Sequence, residues 1–546
     1  MAELLTDTDL TSGFALTTGF APHPSGVADH YRDLGLWRDT PLWRVLWDSA
    51  DVSPEAPAVS GTDQTLTYRE LAEAAARRAA GFLDAGLRPG ERVVLQNQNS
   101  VAFAVNFFGL LRAGVAPVMA LPAHRVNEIA HLAHTAGAVA YICHDQAGGF
   151  DYRELAARLG ERVPTIRTVF VDGDPGSFAS PPQGDPARLE HGPATDPDAP
   201  ALFLVSGGTT GLPKLIARTH NDYRFNAERS AEVAGWTAAD TYLVALPAAH
   251  NFPLACPGLL GILSVGGHAV FTDTPSPDHT FDLIEKYRIT AVALVPALAQ
   301  VWTAATDWEP ADVSSLRLLQ VGGAKLAEPD AIAANAAFGG AVQQVFGMAE
   351  GLICYTRTTD DEQTVTQTQG KPMSEHDDLR VVDENGEDVP DGIEGELLVR
   401  GPYTIRGYYR ADDHNLRSFT DDGYYRSGDR VRRLASGHLM VTGRIKDTIV
   451  RAGENVASDD VEENLLAHPV IRQAAVIGLP DDSLGERICA AIVVDGPAPD
   501  LPTVRQFLAE RGLATFKQPD QLRIVTSLPV TAVGKIDKRA LLAQLG

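Results

Sequence analysis

The sequence predicts an α/β protein: a large N-terminal α/β domain of several subdomains, followed by a small C-terminal α+β domain. Three observations lead there: a length of 546 residues, helical apolar patterns alternating with short apolar strands, and a change of pattern near residue 446. A single hydrophobic core stops growing at roughly 250–300 residues, so a chain of this length builds several. With 44% hydrophobic and 21% charged residues, the composition is that of a globular protein and excludes disorder over most of the chain.

Thr67 and Glu70 form a Thr-x-x-Glu capping box, and Leu71, Ala75, Ala79 and Phe82 follow at helical spacing until Gly86. Residues 91–96 then read as a buried strand, 101–113 as a second apolar helix stopped at Gly114, and 115–121 as another strand. Helices alternating with apolar strands imply α/β layers. Pro, Gly, Asp and Ser crowd 172–200, a surface connection, and a strand follows at 201–205. The alternation is expected to continue to about residue 442. Beyond it come a helix near 461–467, strands near 474–479 and 488–494, and a helix near 503–511. A boundary at Lys446 divides the chain into domains 1–445 and 446–546.

The 46 Lys and Arg against 71 Asp and Glu leave a net charge of −25, and no basic run reaches five residues. That excludes a nucleic-acid binder, which must neutralise phosphates, and disfavours an anionic membrane surface. Cys143, Cys256, Cys354 and Cys489 form no CxxC pair and no disulfide framework, which fits a reducing compartment. The first 22 residues lack a basic n-region, and apolar stretches such as 291–299 fall short of the roughly 20 residues that span a bilayer. The expectation is a cytoplasmic protein, monomer or homodimer, with neither membrane nor nucleic acid as partner.

After the strand ending at Val205 comes Ser206-Gly207-Gly208-Thr209-Thr210-Gly211-Leu212-Pro213-Lys214. Its glycines admit an anion close to backbone N–H groups, two Thr hydroxyls add donors, and Lys214 adds charge, which together make a phosphate cradle. It is not a P-loop, because GxxxxGK[ST] does not align and Leu215 follows the Lys. On its own it reads also as a polar hairpin after a strand, as the lesser alternative. Further segments follow: His250-Asn251-Phe252-Pro253, Phe346-Gly347-Met348-Ala349-Glu350, Tyr425-Arg426-Ser427-Gly428-Asp429, Gly443-Arg444-Ile445-Lys446-Asp447 and Gly534-Lys535. In this order, over about residues 30 to 546, the chain resembles the adenylate-forming superfamily of acyl-CoA synthetases, firefly luciferase and peptide-synthetase adenylation domains.

Activating a carboxylate with ATP brings an anion against a polyanion, so the site must supply cations and donors where charge accumulates. The resemblance implies that Lys535 bridges the carboxylate and the α-phosphate, with His250 and Glu350 beside it in the catalytic set. It implies that Glu350 also holds Mg²⁺, a hard cation suited to an oxygen ligand. By the same resemblance, Asp429 holds the ribose hydroxyls, Arg444 contacts the nucleotide, Gly322, Gly323 and Ala324 pack along adenine, and the 206–214 loop holds phosphate.

Most members of the superfamily carry Thr where this chain has Ala349. The Met348-Ala349-Glu350 variant, with Gln343-Gln344-Val345-Phe346-Gly347 and 400–409, is similar to the branch that activates aryl acids for siderophores. The likeness to that branch places Asn251, Phe252, Cys256, Val345, Gly347 and Cys354 in the acid pocket. Asn251 suits an ortho-hydroxybenzoate, whereas amino-acid adenylation domains carry Asp there for the ammonium. Enzymes for 2,3-dihydroxybenzoate usually place Ser and Asn at the Cys256 and Cys354 positions, and thiols are weak partners for a 3-hydroxyl. Salicylate is therefore expected, with 2,3-dihydroxybenzoate and other 2-substituted benzoates as alternatives.

The labile adenylate requires a thiol acceptor. The resemblance makes Lys446 the hinge for rotation of the small domain and Gly453 and Glu454 part of a thiol channel. No carrier domain follows Gly546, so coenzyme A or phosphopantetheine on a separate carrier protein is expected. Of other classes, an inactive ligand-binding pseudoenzyme would keep the fold without the chemistry, and a phosphotransferase would need Walker or kinase signatures, which are absent.

Overall fold

The computed structural model describes residues 19–546 except 63, 191–194, 207–212, 452–453, 482–483, 512, 514, 532–533 and 546. The Thr67 hydroxyl accepts from the Glu70 N–H and the Glu70 carboxylate accepts from the Thr67 N–H, so the capping box starts the helix Tyr68–Asp84. Leu71, Ala75, Ala79 and Phe82 line its buried face. Arg92–Gln96, Ala116–Met119, Ala140–His144 and Thr168–Asp172 pair in parallel, and Pro200–Val205 joins beside Ala116–Met119. Leu215–Thr219 closes that six-stranded sheet antiparallel to Pro200–Val205. The connection between Asp172 and Pro200 is anchored by a 3₁₀ turn, Pro186–Leu189, whose Leu189 is buried.

A nine-stranded sheet faces the first. Its parallel centre runs through Pro57–Ser60, His268–Phe271, Thr241–Val244, Ala291–Leu294, Leu318–Gly322 and Val342–Gly347. Its edges turn antiparallel through Thr65–Thr67 on one side and Ile353–Tyr355 and Lys371–Pro372 on the other. Side chains alternate between faces with the period of two that strands impose. Val93 and Leu95 enter one core with Val244 and Phe271 of the facing sheet, while Val94 points to a second core with Ile129 and Leu132. A third core on the outer face of the nine-stranded sheet holds Leu243, Val292 and Trp302. Both sheets are covered on both faces, which is why their strands read as continuous apolar runs.

The expected α/β alternation stops well before residue 442. Asp378–Val382, Glu394–Arg400, Tyr425–Arg433 and Leu439–Arg444 instead form a four-stranded antiparallel sheet, with the helix Asp412–Ser418 between its second and third strands. Antiparallel neighbours need only a turn between them, such as Ser436-Gly437, where parallel ones need a crossover of a dozen residues or more.

A 3₁₀ turn, Ile445–Asp447, leads from Leu439–Arg444 straight into a second antiparallel hairpin, Thr448–Arg451 with Glu454–Ala457. Ile471–Asp481, Gly485–Val494 and Gln521–Ile524 complete a five-stranded sheet. The long strands run further than sequence suggests because they pair with each other along nearly their full length. Two cores, one around Ile449, Val461 and Leu508 and one around Ile477, Cys489 and Leu541, cover its faces. Across the seam, Lys325 Nζ meets Glu463 Oε2 at 2.8 Å. Among the described residues no helix is long and apolar enough to cross a membrane.

Trp302 and Trp308 lie close together in sequence but differ in setting. Trp302 is fully buried, meets the Phe281 ring edge-on at 5.3 Å and donates from Nε1 to the Pro275 carbonyl at 2.8 Å, whereas Trp308 is 63% exposed. Trp302→Ala is expected to cost about 3–5 kcal/mol and Trp308→Ala less than about 0.5 kcal/mol, read as the midpoint of thermal unfolding. Equal shifts would contradict this packing.

Candidate active site

The ends of the parallel strands Leu318–Gly322 and Val342–Gly347 meet where Lys535 of the small domain docks, as ligand sites do at the carboxyl ends of parallel strands. The neck of the 206–214 loop is closed by two hydrogen bonds, Ser206 N–H to the Lys214 carbonyl at 2.9 Å and Lys214 N–H to Ser206 Oγ at 3.0 Å. Gly207, Gly208, Thr209, Thr210 and Gly211 lie outside the described residues.

Lys214 Nζ stands 5.2 Å from the centre of the Tyr408 ring. Burial lowers its pKa and the Glu350 carboxylate opposes that. The Tyr408 hydroxyl donates to Glu350 Oε1 at 2.6 Å and lies 3.0 Å from the Tyr425 hydroxyl. One carboxylate oxygen of Glu350 is thereby pinned. Among the described residues no group of three His, Cys, Asp or Glu side chains could hold a metal. A divalent cation at Glu350 would therefore draw its remaining ligands from phosphate and water, an arrangement that suits Mg²⁺.

The turn bearing Glu350 is held by its backbone. Arg218, fully buried, donates from Nε to Asp222 Oδ1 at 2.8 Å, from Nη1 to the Ala349 carbonyl at 2.9 Å and from Nη2 to the Tyr403 carbonyl at 3.1 Å. The Ile405 N–H donates to the Glu350 carbonyl at 2.8 Å. The missing Thr hydroxyl at Ala349 leaves these contacts intact. Arg218, Tyr408 and Tyr425 were not singled out from sequence. A charged residue inside an apolar strand such as Leu215–Thr219 was the available signal for the first.

His250 caps the short helix Asn251–Ala255, its Nδ1 accepting from the Phe252 N–H at 3.2 Å. Burial, reinforced by the nearby Lys535, lowers its pKa to about 3. The imidazole is therefore neutral near pH 7 and, with Nδ1 accepting, carries its proton on Nε2. The Asn251 Oδ1 accepts from the Tyr223 hydroxyl at 2.8 Å, and its Nδ2 donates to Cys256 Sγ at 3.3 Å. A side chain at Gly322 would come within 2.8 Å of the Val345 carbonyl and 3.0 Å of the Phe252 ring, so glycine is required where these two meet. Cys256 and Cys354 are buried thiols, and both act on the buried phenol of Tyr355. Burial pushes the Cys256 thiol up to about 12 and Cys354 well above its ordinary value, so neither is poised as a nucleophile. Gly347 packs so closely on the Leu352 carbonyl that a Cβ would stand 2.9 Å from it.

Lys535 reaches this site from the small domain. Its Cε lies 3.4 Å from where a Gly323 side chain would begin, and Ala324 next to it is exposed. Asp429 pairs in register with Arg444, whose Nε meets Oδ1 at 2.8 Å. Burial raises the Asp429 pKa, with Arg444 and Lys535 opposing. The structure thus brings His250, Asn251, Phe252, Cys256, Gly322, Gly323, Val345, Glu350, Asp429, Arg444 and Lys535 to one region. Lys446 lies in the Ile445–Asp447 turn and Glu454 opens the strand Glu454–Ala457, but their side chains, and Gly453 entirely, fall outside the described residues.

Comparison with known proteins gives this geometry its family. Residues 46–409 match the AMP-binding enzyme family and residues 460–535 the AMP-binding enzyme C-terminal domain. The chain is 51% identical over 540 residues to a salicyl-AMP ligase / salicyl-S-ArCP synthetase of Mycobacterium tuberculosis, covering 97% of this chain and 95% of the relative. It is 46% identical over 525 residues to a 2,3-dihydroxybenzoate-AMP ligase of Bacillus subtilis, covering 96% and 97% of the two chains. The apo structure of MbtA from Mycobacterium smegmatis superposes with a TM-score of 0.74 at 52% identity, over 96% of this chain and 99% of that one. A large α/β domain with a small C-terminal domain whose lysine enters the site, matched along both parts, places the chain in the AMP-binding family of adenylate-forming enzymes.

Proposed function

We propose that the chain activates salicylate with ATP and transfers the salicyl group to a phosphopantetheine thiol. The observation that carries the choice of acid is Asn251, an amide donor against the buried Cys256 thiol, with the buried Cys354 thiol acting on the same Tyr355 phenol as Cys256. An amide N–H serves a carboxylate and an ortho oxygen, while a hydroxyl farther round the ring would be left with weak partners, a loss of about 1–3 kcal/mol. The names borne by the Mycobacterium tuberculosis and Bacillus subtilis relatives support an aryl acid, and the first supports a carrier-borne thiol.

In the first half-reaction a carboxylate oxygen attacks the α-phosphorus, forming the acyl–phosphate bond as the bond to the departing pyrophosphate breaks. Lys535 and Lys214 would supply the positive charge that lets two anions meet, and the neutral His250, protonated on Nε2, would add a donor without repelling Lys535. Mg²⁺ held at Glu350 would neutralise phosphate charge. Asp429, fixed by Arg444, would take the ribose hydroxyls. In the second half-reaction the thiol sulfur attacks the carbonyl carbon and AMP leaves. Lys446 would serve as the hinge between the two arrangements, with Gly453 and Glu454 lining the thiol path. The domains 1–445 and 446–546 would then move against each other as two bodies.

Incubation with ATP, Mg²⁺ and labelled salicylate, with either a holo aryl carrier protein or coenzyme A, tests the reading. AMP, pyrophosphate and a labelled thioester are expected, and ADP or an unlabelled acceptor would refute it. Lys535→Ala is expected to reduce salicylate-dependent ATP–pyrophosphate exchange about a hundredfold or more while retaining thioester formation from supplied salicyl-AMP. Equal loss of both half-reactions would contradict the role of Lys535. Cys256→Ser combined with Cys354→Asn is expected to move the ratio of kcat/KM values about tenfold toward 2,3-dihydroxybenzoate. An unmoved ratio would remove the thiols from substrate choice.

A further inference from the structure

Asn251 presents a directional problem that its own side chain cannot solve. An amide has a donor end and an acceptor end of nearly equal size, so its use in recognition depends on which end its neighbours claim. Here the Tyr223 hydroxyl donates to Oδ1 at 2.8 Å and Nδ2 donates to Cys256 Sγ at 3.3 Å. The Cys256 thiol hydrogen in turn points to the Asn251 backbone carbonyl at 3.5 Å, which leaves the sulfur lone pairs for the amide. Hydrogen bonding therefore runs in one direction around the ring of groups, and Tyr223 starts it.

Tyr223 is built to hold that direction. It lies fully buried on the helix His220–Val233, with the Arg218 guanidinium carbon 4.7 Å from its ring centre. Burial drives its phenol pKa far above the ordinary value, so the hydroxyl keeps its hydrogen at any working pH. Asn251 is itself buried, so its amide turns only if one of these partners lets go.

We propose that Tyr223 is a positioning residue for substrate selection: by occupying Asn251 Oδ1 it turns the remaining amide N–H toward the bound acid, favouring an ortho substituent that accepts a hydrogen bond over one that donates. The inference rests on the salicylate reading above. An ortho-hydroxyl gives its hydrogen to the neighbouring carboxylate and offers an oxygen lone pair to the amide. An ortho-amino group has its lone pair drawn into the ring and turns a second N–H against the amide N–H. Discrimination of this kind comes from the repulsive or unpaired contact as much as from the attractive one.

The test compares salicylate with 2-aminobenzoate in ATP–pyrophosphate exchange, for the wild type and Tyr223→Phe. Without the hydroxyl the amide is free to reverse, and the salicylate-to-2-aminobenzoate ratio of kcat/KM is expected to fall about tenfold. A purely structural role for Tyr223 would lower both substrates together, and an unchanged ratio overturns the inference. If Tyr223→Phe does not fold, Asn251→Asp carries the same test, because a carboxylate presents an acceptor in either orientation. Its ratio is expected to move toward 2-aminobenzoate, and an unmoved ratio overturns the inference. A wild type inactive on salicylate defeats the functional reading and this inference together, whereas full salicylate activity with an unmoved ratio defeats this inference alone.

Discussion

Arg444 reaches across two paired strands to Asp429 at 2.8 Å, and Lys535 enters from the other domain beside Gly323 and acts on the same carboxylate. Taken out of water, Asp429 would tend to protonate, and these two cations are what oppose that. Glu350 is held differently, through the Tyr408 hydroxyl. The site is thus assembled from buried carboxylates and cations, and one of the cations is contributed by the small domain. A reaction that must press a carboxylate against a triphosphate needs that positive charge for one step only. On the proposed function, carrying it on a separate domain would allow it to be withdrawn before the thiol arrives.

The rest of the fold places these groups. Two covered, mainly parallel sheets supply rigid strand ends for Gly322, Val345 and the neck of the 206–214 loop. The antiparallel sheet carries Asp429 and Arg444 on neighbouring strands and then passes through Ile445–Asp447 into the small domain. Arg218 ties the first sheet system to the second, since its guanidinium holds carbonyls at Ala349 and Tyr403. An acidic chain, with a net charge of −25, therefore concentrates its cations where anions must meet.

Much of this was legible in the sequence where the signal is local. The capping box at Thr67 and Glu70 depends on residues three apart, and the apolar strands and the ordered motifs depend on short runs. The change to an antiparallel sheet after Pro372 was not legible, because strand pairing is decided between segments and local alternation looks the same in both cases. Tyr408 was visible only as one letter in a longer match, since its value lies in touching Glu350, 58 residues away. Tyr223 was missed for the same reason: it is an ordinary residue in its own helix, and its partner Asn251 lies in another element. Arg218 offered a signal as a charge within an apolar strand, but its partners Ala349 and Tyr403 lie too far along the chain to be read from it.

If this chain joins a carboxylate oxygen of the acid to the α-phosphorus of ATP and then passes the acyl group to a thiol with AMP as the leaving group, that oxygen ends in AMP. The most direct measurement uses salicylate labelled with ¹⁸O in both carboxylate oxygens, with ATP, Mg²⁺ and a holo carrier protein or coenzyme A, followed by mass analysis of the nucleotide. The bridging oxygen stays with phosphorus when the thiol attacks the carbonyl, so AMP carrying one ¹⁸O per thioester formed is the predicted result. Unlabelled AMP, or label recovered in inorganic phosphate alongside ADP, would contradict the account.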